Sequence, residues 1–368
     1  IDKETKLGIL ASYHAGMVLV DFTNPQMPQY LGCYDTVGSG AIVTSVTGCD
    51  SFAYISWPRP RLISIDISDP RHPVRAGGCE NMFNPPEDMV LRDSFVYCAE
   101  ANRFQVVNVA RPRDPRLVGS CVVEEDAEGL CLVDSIAYVA NYPFAIINVR
   151  QPSNPFIISR IWRGAWNGTV RDSFLFLSSG GVLVYSVADL RQPHLIDSLS
   201  VGPNTYWVEA VGSLLYTGNR DGVRVIDASD VHDMRVLGFC SAPYVVKRLA
   251  YVSPYLYAVC WDAGVCIFES TPIGVSELQS PQTAKGKLMV IPNPTRGRVR
   301  LAPRSNNWGL SQVIVRDALG REVAQIKCQR DSGECLKLNL NDLKRGLYFV
   351  EFVSEKQRAA VIVKIIKQ

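Results

Sequence analysis

The sequence predicts an all-β architecture, a β-propeller of seven blades followed by a small Ig-like β-sandwich. Three observations carry this expectation. One apolar phrase with a Pro- or Asp-rich turn recurs about every forty residues. Hairpin signals punctuate each unit. Near residue 280 the period stops, and the strand pattern and the charge both change.

The phrase reads "LVDFTNPQMPQYLGC", "SIDISDPRHPVRAGG", "VVNVARPRDPRLVGS", "IINVRQPSNPFIISR", "VYSVADLRQPHLIDS" and "VIDASDVHDMRVLGF", with a decayed last copy, "IFESTPIGVSEL". The position after each apolar run is Asp21, Asp66, Asn108, Asn148, Ser186, Asp227 and Glu269, at spacings of 45, 42, 40, 38, 41 and 42. That period, filled with short alternating runs, is the mark of propeller blades rather than helical repeats.

Each unit parses into four strands. In the sixth they are "TYWVEAVG", "SLLYTG", "GVRVIDAS" and "RVLGFC". The turn "NRDG" places Gly222 where a positive φ is needed, and the Asp and Pro residues of the repeated phrase form the third-to-fourth strand turn. Apolar residues opening the second strands, Phe52, Phe95, Ile136, Phe174, Leu214 and Tyr255, are expected to pack between blades. The first unit has a second, third and fourth strand, but "IDKETK" makes a poor innermost one.

The phrases "GMVLVDFTNPQMPQYLG", "RLISIDISDPRHPVRAGG" and "GVRVIDASDVHDMRVLG" resemble the LVIVD repeat, a propeller unit of bacterial and archaeal surface or secreted proteins. The resemblance covers about residues 8–280 and implies a fold, with no catalytic or cofactor motif attached. The fifth unit lacks the Asp anchor, and the seventh replaces it with Glu269 and loses the Pro pair.

Domains are expected at 1–280 for the propeller and 288–368 for the sandwich, with 281–287 as linker. The C-terminal elements "PNPTRG" at 292–297, "DALGREV" at 317–323, the run Leu343 to Val350 and a Lys-rich last strand resemble the type IX secretion sorting domain. That resemblance implies a cleaved signal peptide, passage through the periplasm, contact with the secretion machinery, and delivery outside the cell or to the outer-membrane surface.

The chain has 368 residues and a net charge of +2. From Lys285 onward there are 17 basic and 7 acidic residues, which leaves 21 basic and 29 acidic before it. A basic tail without a stacking platform or groove motif does not point to nucleic acid. No apolar run reaches the roughly 18 residues of a transmembrane helix. The start, "IDKETK", is not a signal peptide, which suggests a processed or truncated beginning.

Of eleven cysteines, Cys328 with Cys335 and Cys260 with Cys266 flank turns and are candidate disulfides, buried free thiols being the alternative. No metal or cofactor is expected, since there is no CxxC pair and the four histidines are scattered.

Loops joining one blade to the next, and second-to-third strand turns, emerge together on one face around the channel. Trp57 and Trp261 fall on such turns, and Trp162, Trp166 and Trp207 at or before first strands. Recognition and packing both explain such clustering. The same rim carries Thr44 and Ser45, Glu87 and Asp88, Glu128, Asn167, Tyr206, and Lys247 with Arg248, which do not repeat from blade to blade. A ligand site on a ring has that property, and so does a loop rim that has drifted.

Glu87, Asp88 and Glu128 offer paired carboxylates, but His72, His194 and His232 fall in third-to-fourth strand turns and His14 in a second-to-third strand turn. The expectation is therefore a protein that is not an enzyme and that binds a protein or glycan ligand through this face. The alternative is a structural subunit that self-associates into a surface layer or filament. An extracellular hydrolase stands third.

Overall fold

The computed structural model describes residues 1, 4–12, 16–34, 42–49, 51–202, 204–242, 244–261 and 264–270 of the repeat region, and six strands beyond residue 297. The repeats build seven successive antiparallel sheets, the blades of a propeller. The second to sixth blades have four strands in sequence order, as in the fourth: Gly129–Val133, Ile136–Ala140, Phe144–Asn148 and Phe156–Ile161.

Among the described residues the first blade has three strands, Leu7–Ala11, Met17–Asp21 and Gln29–Tyr34, and the seventh has Val246–Val252, Tyr255–Cys260 and Gly264–Glu269. The ends of the ring meet where Phe22 packs edge-on against Tyr257, with centroids 5.0 Å apart. First strands of successive blades lie side by side around the channel.

Second and third strands are nearly continuous in buried residues because a central strand has a neighbouring blade on each face. Tyr138, Phe144, Ile146, Leu175, Leu177 and Tyr185 form one such core between the fourth and fifth blades. Phe52, Phe95, Ile136 and Phe174 lie half-buried against four of these inter-blade cores.

The repeated phrase acquires a physical meaning at each of its positions. The Asx anchor accepts the N–H two residues on: Asp21 from Thr23 at 2.7 Å, Asn108 from Ala110 at 2.9 Å, Asp227 from Ser229 at 2.9 Å. Third-to-fourth strand pairing shifts register at an equivalent place, as where Val106 opposes Gly119 and Val107 opposes Leu117. The glycine beside that bulge lets the next blade's turn come close. A Cβ on Gly32, Gly77 or Gly119 would lie 2.4, 2.5 or 2.1 Å from the carbonyl oxygen of Pro70, Arg113 or Pro152. Gly222 has the positive φ expected of it, 149°.

The chain divides into two compact units, Ile1–Ala258 with Glu269–Leu278, and Val259–Phe268 with Gln279–Gln368. This division differs from a boundary at residue 280 by grouping Val259–Phe268 with the second unit, while sheet order keeps the strand Gly264–Glu269 in the seventh blade. Beyond residue 297, one sheet runs Glu322–Lys327, Leu310–Asp317, Gly346–Ser354, Val361–Lys367, and Arg298–Leu301 pairs with Leu336–Asn339. The side-chain packing that an Ig-like sandwich requires, the linker 281–287, His14, and Cys328 and Cys335 lie outside the described residues.

Candidate functional site

Six residues occupy the equivalent position eight before each second strand: Thr44, Glu87, Glu128, Trp166, Tyr206 and Lys247. They enter the mouth one per blade, from the second to the seventh. Strand alternation turns the next residue the other way. Thus Glu87, Glu128 and Trp166 are exposed, whereas Ser45, Asp88 and Asn167 are buried.

Two of the expected ligand-binding residues therefore serve the ring. Asp88, 2% exposed, accepts the backbone N–H of Leu130 in the next blade at 2.9 Å. Asn167, also 2% exposed, accepts that of Val208 in its next blade at 2.8 Å. Asp88 also holds Arg248 by a 2.5 Å ion pair between the third and seventh blades, and the Arg248 guanidinium lies 4.8 Å from the Trp207 ring centre. These residues brace the mouth from beneath.

Above them, Lys247 Nζ lies 4.0 Å from the Tyr206 ring centre and 4.7 Å from that of Trp166. The two rings meet edge-on at 5.3 Å. An ammonium over two π faces is a cation–π arrangement. Desolvation holds the Lys247 ammonium below its usual range, with Glu128 opposing. Glu128 and Glu87 are held above the usual carboxylate range. Desolvation in the narrow mouth leads in both, although water still reaches them. Lys247 then lowers Glu128, while Asp126 adds to the rise at both.

Trp162 is 67% exposed and Tyr142 47%, and they meet edge-on at 6.4 Å. Trp261 is 57% exposed. Trp57 departs from this pattern: half-buried, it packs on Tyr34 at 5.8 Å, so its role here is packing. Trp207 is half-buried and donates its indole N–H to Glu209 at 3.3 Å.

Sequence reasoning missed Asn141 and Tyr142, which follow the fourth blade's second strand, whereas Asp126 belongs to the acidic run "EEDAE" at 124–128 in the loop before that blade. Together with Glu125, Glu128 and Trp166 they line a cavity of about 520 Å³. The "EEDAE" run was visible, but its partner across the cavity comes from a turn with no composition signal. Cys260 and Cys266 face each other as thiols with Sγ atoms 3.4 Å apart. Among the described residues no group of His, Cys, Asp and Glu is arranged to hold a metal. His72 and His232 lie in third-to-fourth strand turns, and His194 opens a fourth strand.

Fold and mouth together define a seven-bladed propeller whose loop face is aromatic and charged. Residues 43–80 match the LVIVD repeat, and residues 289–368 match the secretion system C-terminal sorting domain. The chain is a seven-bladed propeller protein that carries an LVIVD repeat and a C-terminal sorting domain, the signal for type IX export to the cell surface or the extracellular space.

No curated protein matches it. Among solved structures it is similar to a Bacteroides uniformis protein provisionally assigned as a 6-phosphogluconolactonase, at 10% identity and TM-score 0.61, over 78% of this chain and 95% of that one. It is also similar to Saccharomyces cerevisiae Sqt1, at 10% identity and TM-score 0.57, over 99% and 94%. A functionally unknown protein from Desulfotomaculum acetoxidans matches at 11% identity and TM-score 0.58, over 72% and 92%. At such identities the likeness is one of fold.

Proposed function

We propose that this protein is an exported binding protein that engages an extracellular protein or glycan through the mouth of its propeller. The observation that carries this reading is the exposure of Tyr142, Trp162 and Trp166 together beside charged residues that differ from blade to blade. Exposed aromatics cost solubility and are the usual anchors of interfaces. Residues with a purely structural role recur in most blades, as the Asx anchors do in five of seven and the bulge glycines do in the first, second, third and sixth, whereas these do not recur.

The proposed role is recognition without turnover. Glu87 and Glu128 are two carboxyls near one another with no histidine beside them among the described residues, and the fold supports many functions. Export then puts the mouth where a partner can reach it.

The test is to probe arrays of glycans and extracellular proteins with the full chain and with Trp162→Ala. Reproducible partners whose signal falls at least about tenfold in the variant support the reading. Partners insensitive to Trp162→Ala, or none at all, argue against it.

A further inference from the structure

We propose that the cavity between the fourth and fifth blades is a subsite for an arginine side chain presented by a peptide or protein ligand. This deepens the binding reading above and rests on it for biological context. The cavity, about 520 Å³, is open to the mouth. Loops before the fourth and fifth blades and the second-to-third strand turns of those blades line it, the two loop sets that emerge on the binding face.

Its charge is one-sided. Glu125, Asp126 and Glu128 line it, and no lysine or arginine does. The nearby Glu124 already pairs with Arg160 at 3.2 Å, whereas neither Glu125 nor Asp126 has a cationic partner within ion-pair distance among the described residues. Lys247 already attracts Glu128 from the rim, so a ligand cation would be drawn chiefly by Glu125 and Asp126.

The second observation is independent of that charge. Asn141 lines the same cavity, is 4% exposed, and has both amide atoms buried without a hydrogen-bond partner. A buried amide left unsatisfied costs about 1–3 kcal/mol, and a ligand that satisfies it recovers that energy on binding. By contrast, Asn219, which ends the sixth blade's second strand, is fully engaged by Thr217 and Thr205 at 2.8 and 3.0 Å. At the equivalent place in the third blade Glu100 also leaves one carboxylate oxygen without a partner, but at Asn141 both polar atoms are unmet.

The walls decide between cations. Tyr142 and Trp166 flank the cavity, each braced edge-on by a second ring, Trp162 and Tyr206. Trp166 already carries the Lys247 ammonium near its face, so this wall accepts positive charge. A guanidinium is planar, stacks on such rings, and offers five donors to carboxylates in a fork. It also donates to the Asn141 Oδ1. The Asn141 Nδ2 then needs an acceptor, which a backbone carbonyl of the ligand supplies and a free amine does not.

The experiment titrates the intact chain with N-acetyl-Gly-Arg-Gly-amide, with its neutral isostere carrying citrulline, and with cellohexaose, following tryptophan fluorescence and heat. The expected result is saturable binding of the arginine peptide, at least about tenfold tighter than the citrulline peptide, with no binding of the sugar. Asp126→Asn and Asn141→Leu should each weaken it about tenfold or more. Asp126 is exposed, so its variant keeps the test valid if the Asn141 change disturbs folding.

Equal affinity for the two peptides, no saturation of the arginine peptide, or preference for the sugar overturns the proposal. The readout needs no macromolecular partner. An array partner without arginine-peptide binding would leave the binding reading standing and remove only this subsite.

Discussion

At Gly119 one hydrogen atom sets how closely two blades approach. A Cβ there would lie 2.1 Å from the carbonyl oxygen of Pro152, so the backbone of one blade would have to move. Gly119→Ala should lower stability by about 1–3 kcal/mol, while Gly164→Ala, whose Cβ meets only Tyr142 at 3.7 Å, should stay close to wild type. Denaturant unfolding of both variants checks this, and equal losses would contradict it.

The bulge glycines were legible because the phrase repeats, and repetition exposes a shared constraint. Glu100 was not legible, since it occurs once. Its carboxyl is raised to about 7, chiefly by burial, against the Asn84 N–H that it accepts at 2.6 Å. A carboxyl that binds its proton more tightly when folded costs stability as pH rises. The loss starts near its unfolded pKa of about 4.3 and is complete above about pH 7. Glu100→Gln should therefore be more stable than wild type at pH 8, by at most roughly 3 kcal/mol, and equal to it near pH 4. Melting curves across that range decide it.

Among the inner strands, alternation divides the rim pairs Glu87 with Asp88 and Trp166 with Asn167 between two jobs. Glu87, Glu128 and Trp166 face the mouth, while Asp88 and Asn167 tie their strand to the next. Counting back from the second strands found the right positions but not their facing. A period of two says that neighbours point apart without saying which one points into the channel. The αL turns at Asp93, Asp134, Asp172 and Gly212, with φ of 53°, 48°, 55° and 56°, were equally present in the repeated "DSF", "DSI" and "GSL".

The Asp88–Arg248 pair, 160 residues apart in sequence, belongs to this scale because it joins two first strands of non-adjacent blades. A double-mutant cycle with Asp88→Asn and Arg248→Gln should give a coupling of about 1–3 kcal/mol in stability. Additivity within about 0.5 kcal/mol would show that the two strands are held independently.

For the whole molecule, the propeller supplies a rigid ring and the C-terminal domain supplies the route out of the cell. The repeat made the ring legible, and the ordered C-terminal motifs made the route legible. The cavity at the mouth was beyond reach, because it forms from four separate loops and turns within residues 125–180 that meet only when the fourth and fifth blades stack. Deleting residues 289–368 should leave the propeller inside the outer membrane. Fractionation of cells expressing both forms tests this, and equal release of the truncated chain would contradict it.

The central claim is that the aromatic mouth is the binding face. The most direct measurement compares affinities for the strongest array partner among the wild type, Trp166→Ala, and Leu195→Ala. Leu195 is 50% exposed on an outer strand of the fifth blade. The account predicts a loss of at least about tenfold for Trp166→Ala and less than about twofold for Leu195→Ala. Unchanged affinity in the first, or a comparable loss in the second, would place binding elsewhere.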